Sequence, residues 1–479
     1  MPKDKKKFAE MRIEQLYTKC LAEAAYYIES EGEVAIIDPL RETAPYIEMA
    51  NEANSKIKYI FETHFHADFV SGHVDLAAKT GASIVYGPNA KPNYETHLGK
   101  DNEVFKIGNI TITLLHTPGH TMESSCFLLK DENGVEKAIF SGDTLFIGDV
   151  GRPDLAVKSD LTVQDLAGHL FDSLRNKVMP LPNDIIVYPG HGAGSSCGKN
   201  MSDETYDTLG HQKETNYALR IDMTREEFVK EVTDGLVAPP QYFPKNAKMN
   251  IMGYENFDTV MEKGNKALSL DEFNTLVEQG ALILDTRHSD IFPQGYIPNS
   301  LFIGLNGSFA PWVGALITNI QQPIIFLADE GKEEEVVRRL SRVGYDNTRG
   351  YLSGGIQAWK DSGLKLESIE EMSPEQFANS FTDSTPTIDV RKETEFFSQH
   401  VIGNVINLPL SNIAEKSNDV DNDSKQYVHC AGGFRSLIAI SILKQNGVHN
   451  VVNVQGGFKA LEETTIPLST YACPSTMVD

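Results

Sequence analysis

The stretch Thr63-His64-Phe65-His66-Ala67-Asp68-Phe69-Val70-Ser71-Gly72-His73 decides the reading of this chain. It follows an apolar run, Ile57 to Phe61, that reads as a buried strand. Alternate residues leaving a strand end point the same way, so His64, His66 and Asp68 can converge on one point. Imidazole and carboxylate donors together suit a borderline metal ion. A lone histidine in this place would read as a polar loop residue. The whole stretch reads as a metal site because later segments supply matching donors.

Working outward, Leu114-Leu115-His116-Thr117-Pro118-Gly119-His120 is a strand ending in a Pro-Gly turn that projects His120 into a loop. His116 reads as a strand residue. Ile139-Phe140-Ser141-Gly142-Asp143 is another strand, and the glycine before Asp143 suits close backbone approach. Ile185-Ile186-Val187-Tyr188-Pro189-Gly190-His191 repeats the device. Each candidate ligand leaves the carboxyl end of a strand on a loop held by a rigid scaffold. Helical patterns at Ala44 to Ala53 and Asp75 to Thr80 alternate with these strands and predict layered sheets and helices.

The chain has 479 residues, which suggests about three domains. Hydrophobic residues make up 41%, enough for each domain to bury a core. The formal net charge of −24 repels nucleic acid and anionic membranes, and no basic patch offsets it. No apolar run approaches the ~18 residues of a membrane span. Met1 to Lys7 is basic, with no apolar segment behind it, so we expect a frayed start and no signal peptide. Cys20, Cys126, Cys197, Cys430 and Cys473 are scattered and unpaired by spacing, which points to a reducing cytoplasm.

Val237 to Met252 lacks steady periodicity and reads as a boundary, with residues 246–262 as a linker after a first domain at 1–245. Beyond it the chain repeats. Ile283-Leu284-Asp285-Thr286-Arg287 matches Thr387-Ile388-Asp389-Val390-Arg391, and Leu352-Ser353-Gly354-Gly355 matches Val454-Gln455-Gly456-Gly457. A spacing of about a hundred residues is too long for a solenoid unit. It means two duplicated domains, at 263–366 and 367–479, each alternating strands with helices around a parallel sheet.

The order and wording of the metal motifs resemble the metallo-β-lactamase superfamily, and the two repeats resemble rhodanese domains. The implied fold is α/β: a metallo-β-lactamase αββα sandwich followed by two rhodanese domains with parallel sheets. The family pattern His-x-His-x-Asp-His appears here with Phe69 in the last place. Phenylalanine ligates nothing, which depletes the second of the two ion sites that many members carry. Among single-metal members the chain is similar to the persulfide dioxygenases of bacterial rhodanese fusions. That resemblance implies one Fe(II) per chain, or zinc as purified, held by His64, His120 and Asp143. His66, Asp68 and His191 then orient water and ligands. Two histidines and a carboxylate on one face leave positions for O2 and a sulfur anion.

The resemblance also marks Arg152 as a thiol-substrate contact, beside the plainer reading of a bridge to Asp154, and Lys199 as an anion contact. Cys197 reads as a buried cysteine or a secondary thiol near the metal. His211 reads as structural. In the second repeat, His429-Cys430-Ala431-Gly432-Gly433-Phe434-Arg435-Ser436 resembles the rhodanese active loop. Small residues let the chain curl around the Cys430 sulfur, backbone N–H groups and a helix N-terminus favour an anion there, and Arg435 adds charge. The first repeat has Asp329 in that place, and a carboxylate cannot carry a sulfane sulfur. The partners implied are small persulfides of the glutathione, coenzyme A or bacillithiol type, O2 and sulfite, handled by a homo-oligomer. A glyoxalase II-like thioester hydrolase, or a sulfur carrier without catalysis, are the alternatives.

Overall fold

A computed structural model describes residues 11–155 and 161–472. The charged start and Cys473 lie outside the described residues. Contacts divide the chain into two units, Met1–Thr259 with Leu340–Tyr345, and Val260–Arg339 with Asp346–Asp479.

In the first unit two six-stranded sheets pack face to face. One runs Arg12–Thr18, Glu23–Ser30, Glu33–Ile37, Lys56–Phe61, Ser83–Tyr86, His97–Leu98 in space as in sequence. The other runs from Asp207–Thr208 through Ile186–Pro189, Glu136–Gly142, Ser125–Lys130 and Ile110–His116 to Val104–Ile107. Strand alternation sends Tyr26, Ile28, Ile37 and Phe61 of one sheet against Ile112, Phe127, Leu129 and Phe140 of the other. Burying one such side chain contributes about 1.5–3 kcal/mol. Helices Ala44–Glu52 and His73–Thr80 cover the first sheet, and Val163–Ser173 and Arg225–Thr233 the second. The layers are helix, sheet, sheet, helix, as the sequence predicts.

The expected linker is a correction. Residues 243–252 form a helix, Phe243–Met252, and 257–264 form another, Phe257–Gly264. Asn246 and Asn250 are fully buried, and Asn250 donates to the carbonyls of His66 and Phe69 at 2.8 Å while accepting from Ser71 N–H at 3.0 Å. Asn250, read as linker, is instead spent on the backbone of the metal-motif loop, which without it would hold buried unpaired carbonyls.

In the second unit each repeat forms a five-stranded parallel sheet with one strand order. The first runs Ala267–Leu268, Thr348–Leu352, Ile324–Leu327, Leu282–Asp285, Leu301–Phe302. The second runs Glu370–Met372, Val451–Val454, Gln426–His429, Thr387–Asp389, Val405–Asn407. Asp285 and Asp389 stand at matching ends and hold Arg287 and Arg391 in equivalent forks.

Candidate metal centre and sulfur loop

The metal pocket lies where four strands of the first unit end. His64 follows strand Lys56–Phe61, His120 the strand Ile110–His116, Asp143 the strand Glu136–Gly142 and His191 the strand Ile186–Pro189. All four are at most 2% exposed. Gly142 has φ +50°, and a Cβ on it would stand 2.6 Å from the Thr63 side chain, so the close approach expected there is real.

Hydrogen bonds fix which nitrogen each imidazole presents. Thr63 Oγ1 gives its proton to Asp38 Oδ2 at 2.7 Å and therefore accepts from His64 Nδ1 at 3.0 Å. His120 Nδ1 donates to the Arg152 carbonyl at 2.8 Å, and His191 Nδ1 to the Ala22 carbonyl at 3.2 Å. Each ring is left with Nε2 as a lone-pair donor turned inward. His64 Nε2 and His120 Nε2 stand 3.9 and 3.5 Å from Asp143 Oδ2. His191 Nε2 stands 3.5 Å from Asp68 Oδ2 and 3.6 Å from Asp143 Oδ1. Both Asp143 oxygens are buried with no hydrogen-bond partner. A carboxylate stripped of hydrogen bonds among imidazole lone pairs is what a divalent cation compensates, so these residues fit an ion.

His64, His120 and Asp143 gather their donor atoms within 4.8 Å, and His66, Asp68 and His191 form a neighbouring group. His66 differs from the rest. Its Nε2 faces Asp38 Oδ1 at 3.1 Å and Glu62 Oε2 at 3.6 Å. Burial alone would lower its pKa, but these carboxylates push it up to about 10. Burial first, then the neighbouring histidines, hold His64 well below its usual value, as a ligand requires. Phe69 is fully buried, with its ring 4.4 Å from that of His66.

Sequence reasoning missed Asp38, Glu62, Glu23 and Asn250. Asp38 was detectable as an acid directly after an apolar run; it sits at φ +48° and accepts from the N–H and hydroxyl of Thr63. Glu23 carried no signal, yet it is 1% exposed, lacks hydrogen bonds on both oxygens, and burial raises its pKa well above the ordinary value.

The two anion contacts taken from the resemblance have other occupations. Arg152 forks onto Asp154 at 2.6 and 2.7 Å and donates to the carbonyls of Ser196 and Val237. Lys199 gives its ammonium to the carbonyls of Glu231 and Asp234, capping helix Arg225–Thr233. Both are structural ties in this geometry. His211 is exposed and pairs with Asp207.

In the second unit Cys430 ends strand Gln426–His429, and its sulfur accepts from Gly433 N–H at 3.1 Å. Gly433 has φ +92° and opens helix Phe434–Gln445, whose N-terminus adds partial positive charge. Ser436 Oγ lies 3.8 Å from the sulfur and is tied to Asn453 at 2.7 Å. Arg435 forks onto Glu395 with both bonds at 2.7 Å, and Cys430 is among the groups that raise its pKa after that fork. Its charge therefore braces the loop. A cavity of about 890 Å³ opens over Gly432, Gly433 and Phe434, and Asn306, Ser308 and Trp312 of the first repeat wall its other side. In the first repeat Asp329 spends a carboxylate oxygen on the His288 N–H at 3.0 Å.

Compared with known proteins, residues 18–191 match the Metallo-beta-lactamase superfamily, and residues 269–362 and 373–464 the Rhodanese-like domain. A crystal structure of a metallo-beta-lactamase from Staphylococcus aureus subsp. aureus COL is similar at TM-score 0.63 and 32% identity, covering 72% of this chain and 98% of that one. The probable hydroxyacylglutathione hydrolase glo2 of Schizosaccharomyces pombe is 34% identical over 172 residues, 35% of this chain and 62% of that protein. The mitochondrial persulfide dioxygenase ETHE1 of Homo sapiens is 28% identical over 211 residues, 44% of this chain and 74% of that protein. A hydrolase and a dioxygenase are thus matched at similar identity. Among the described residues no helix is long and apolar enough to cross a membrane.

Proposed function

The chain belongs to the metallo-beta-lactamase superfamily through its first domain and carries two rhodanese-like domains, and from that premise we propose that it oxidises small thiol persulfides with O2 to sulfite and free thiol, coupled to sulfur transfer at Cys430. The observation that carries this reading is the inequality of the two halves of the metal pocket. Phe69 supplies no donor, His66 faces Asp38 and Glu62, and His64, His120 and Asp143 gather as a three-donor group of their own, which supports a single ion there. Fe(II) held by those three would supply open coordination positions for O2 and a persulfide sulfur. Thr63 and the Arg152 carbonyl hold the imidazoles in the tautomer that binds.

At Cys430 the Gly433 N–H and the helix N-terminus stabilise a thiolate or a persulfide anion. The Cys430 thiolate attacks the outer sulfur of a donor persulfide, the donor S–S bond breaks, and the donor thiolate leaves. Sulfite then attacks the outer sulfur of Cys430, forming thiosulfate and restoring the thiolate. Holding both reactions on one chain raises the effective concentration of sulfite.

The test is oxygen uptake. Anaerobic protein reconstituted with Fe(II) and given glutathione persulfide should consume O2 when air is admitted and release sulfite. No oxygen consumed would end the dioxygenase half. The second reading, a thioester hydrolase, rests on the likeness to the hydroxyacylglutathione hydrolases. It requires zinc-loaded protein to hydrolyse an acylglutathione.

A further inference from the structure

The cavity over the Cys430 loop has a floor and a rim of opposite character. At the floor, Gly433 N–H and the start of helix Phe434–Gln445 turn partial positive charge toward the sulfur. The rim carries two exposed carboxylates, Asp290 of the first repeat and Glu371 of the second. Among the described residues neither has a lysine or arginine partner, and Asp290 has the His288 ring at 3.5 Å. Arg435 lines the cavity too, but Glu395 matches its charge. Glu371 is tied to the nucleophile by a file of side chains. Its Oε1 accepts from Asn453 Nδ2 at 2.9 Å, Asn453 Oδ1 accepts from Ser436 Oγ at 2.7 Å, and Ser436 Oγ stands 3.8 Å from Cys430 Sγ. Ser436 and Asn453 are at most 2% exposed, so the carboxylate is held at a set reach from the sulfur. Trp312 of the first repeat lines the same space. Indole is the side-chain ring that attracts a cation most strongly. The wall and the loop touch: a Cβ on Gly307 would stand 2.3 Å from the Phe434 ring.

We propose that the sulfur donor taken by Cys430 is a small persulfide that carries an ammonium group. Its outer sulfur enters the floor, and its cation stays at the rim, where Glu371, Asp290 and Trp312 attract it. The step needs no outside oxidant or reductant. The Cys430 thiolate bonds to the outer sulfur, the donor S–S bond breaks, and its electron pair stays on the inner sulfur. The donor leaves with thiolate and ammonium on one molecule. A phosphorylated carrier or inorganic thiosulfate brings negative charge to two carboxylates, and the net charge of −24 adds to that repulsion. The first repeat, which has Asp329 in place of a nucleophile, thereby supplies half of the selection through Asp290 and Trp312. The inference rests on the reading of Cys430 as a sulfur acceptor and narrows the persulfides that it takes.

The test follows persulfide formation on the Cys430 peptide by quenched mass spectrometry, using the anaerobic full chain at low salt. Three donors of similar length differ in charge: the persulfides of cysteamine, 2-mercaptoethanol and 3-mercaptopropionate. Each is compared between wild type and variant, so that its intrinsic reactivity cancels. Glu371→Gln keeps an oxygen for Asn453 and removes the charge. It should slow the cysteamine donor by about two- to fivefold, the size of one exposed charge pair. It should leave the neutral donor unchanged and speed the anionic one by a similar factor. Asp290→Asn should repeat the pattern, and added salt should flatten it. A merely structural role for Glu371 would move all three donors together, and that result, or three unmoved rates, would overturn the charge selection while Cys430 still takes up sulfur. Absence of Cys430 persulfide with every donor would instead bring down the sulfur-acceptor reading, and the inference with it.

Discussion

In the metal pocket the reactive geometry is assembled by side chains from segments as far apart as Asp38 and His191; around Cys430 it is assembled by backbone within one short loop. Both place the reactive group where a strand ends. The pocket depends on buried partners that fix a tautomer, such as Thr63 for His64 and the Arg152 carbonyl for His120. The loop depends on a glycine at positive φ and on the start of a helix. A site built from distant side chains fails piece by piece when one partner is changed. A site built from backbone fails at its nucleophile or not at all.

Substitutions break this contrast in order of effect. Cys430→Ser should lower persulfide-to-sulfite transfer by on the order of 10⁴-fold or more, as loss of a covalent nucleophile does, and leave oxygen uptake intact. A matched fall in oxygen uptake would mean that the two regions are not independent. Asp143→Asn should weaken the first ion by more than ~100-fold, beyond the ~10–100-fold range of changes outside the ligand set. Equilibrium dialysis against a metal buffer reads this directly. Asp38→Asn stays within that ~10–100-fold range, because it loosens Thr63 and hence His64 without removing a ligand.

Phe69→His sharpens the comparison inside the pocket. It returns the missing imidazole next to Asp68, and iron content should rise from one ion per chain toward two. Unchanged content would mean that the engagement of His66, rather than Phe69, keeps the second half empty of iron.

The smallest effect concerns the brace of the loop. Burial would raise the Glu395 pKa, but the Arg435 fork and a backbone N–H hold it below the ordinary 4.5. A carboxyl depressed in the folded state adds stability above that value and loses it as pH falls through the folded pKa. The half-buried pair should therefore separate wild type from Glu395→Gln by about 2–4 °C in Tm at neutral pH. The gap should close in acid below 4.5. Thermal scans across that range decide it.

Much of this was legible in the sequence. Spaced donors leaving strand ends gave the pocket its location, and contiguous small residues gave the loop its shape. What could not be read was direction. Nothing in the motif says that Asp38 and Glu62 face His66, that Arg435 pairs with Glu395, or that Lys199 spends its charge on the carbonyls of Glu231 and Asp234, whereas the bridge from Arg152 to Asp154 was one of the two readings its stretch offered. These depend on which residue packs beside which across long sequence separations. Residues 246–262 misled for the same reason. An asparagine such as Asn250, on a helix without apolar rhythm, gives no sign of its burial until the backbone it satisfies, at His66 and Phe69, is in view.

The central claim is that one half of the pocket holds a single iron. Metal analysis of protein purified under strict anaerobiosis tests it most directly. The account predicts one iron per chain, with persulfide-dependent oxygen uptake proportional to that iron. Two tightly held zinc ions per chain, with uptake indifferent to added iron, would contradict it.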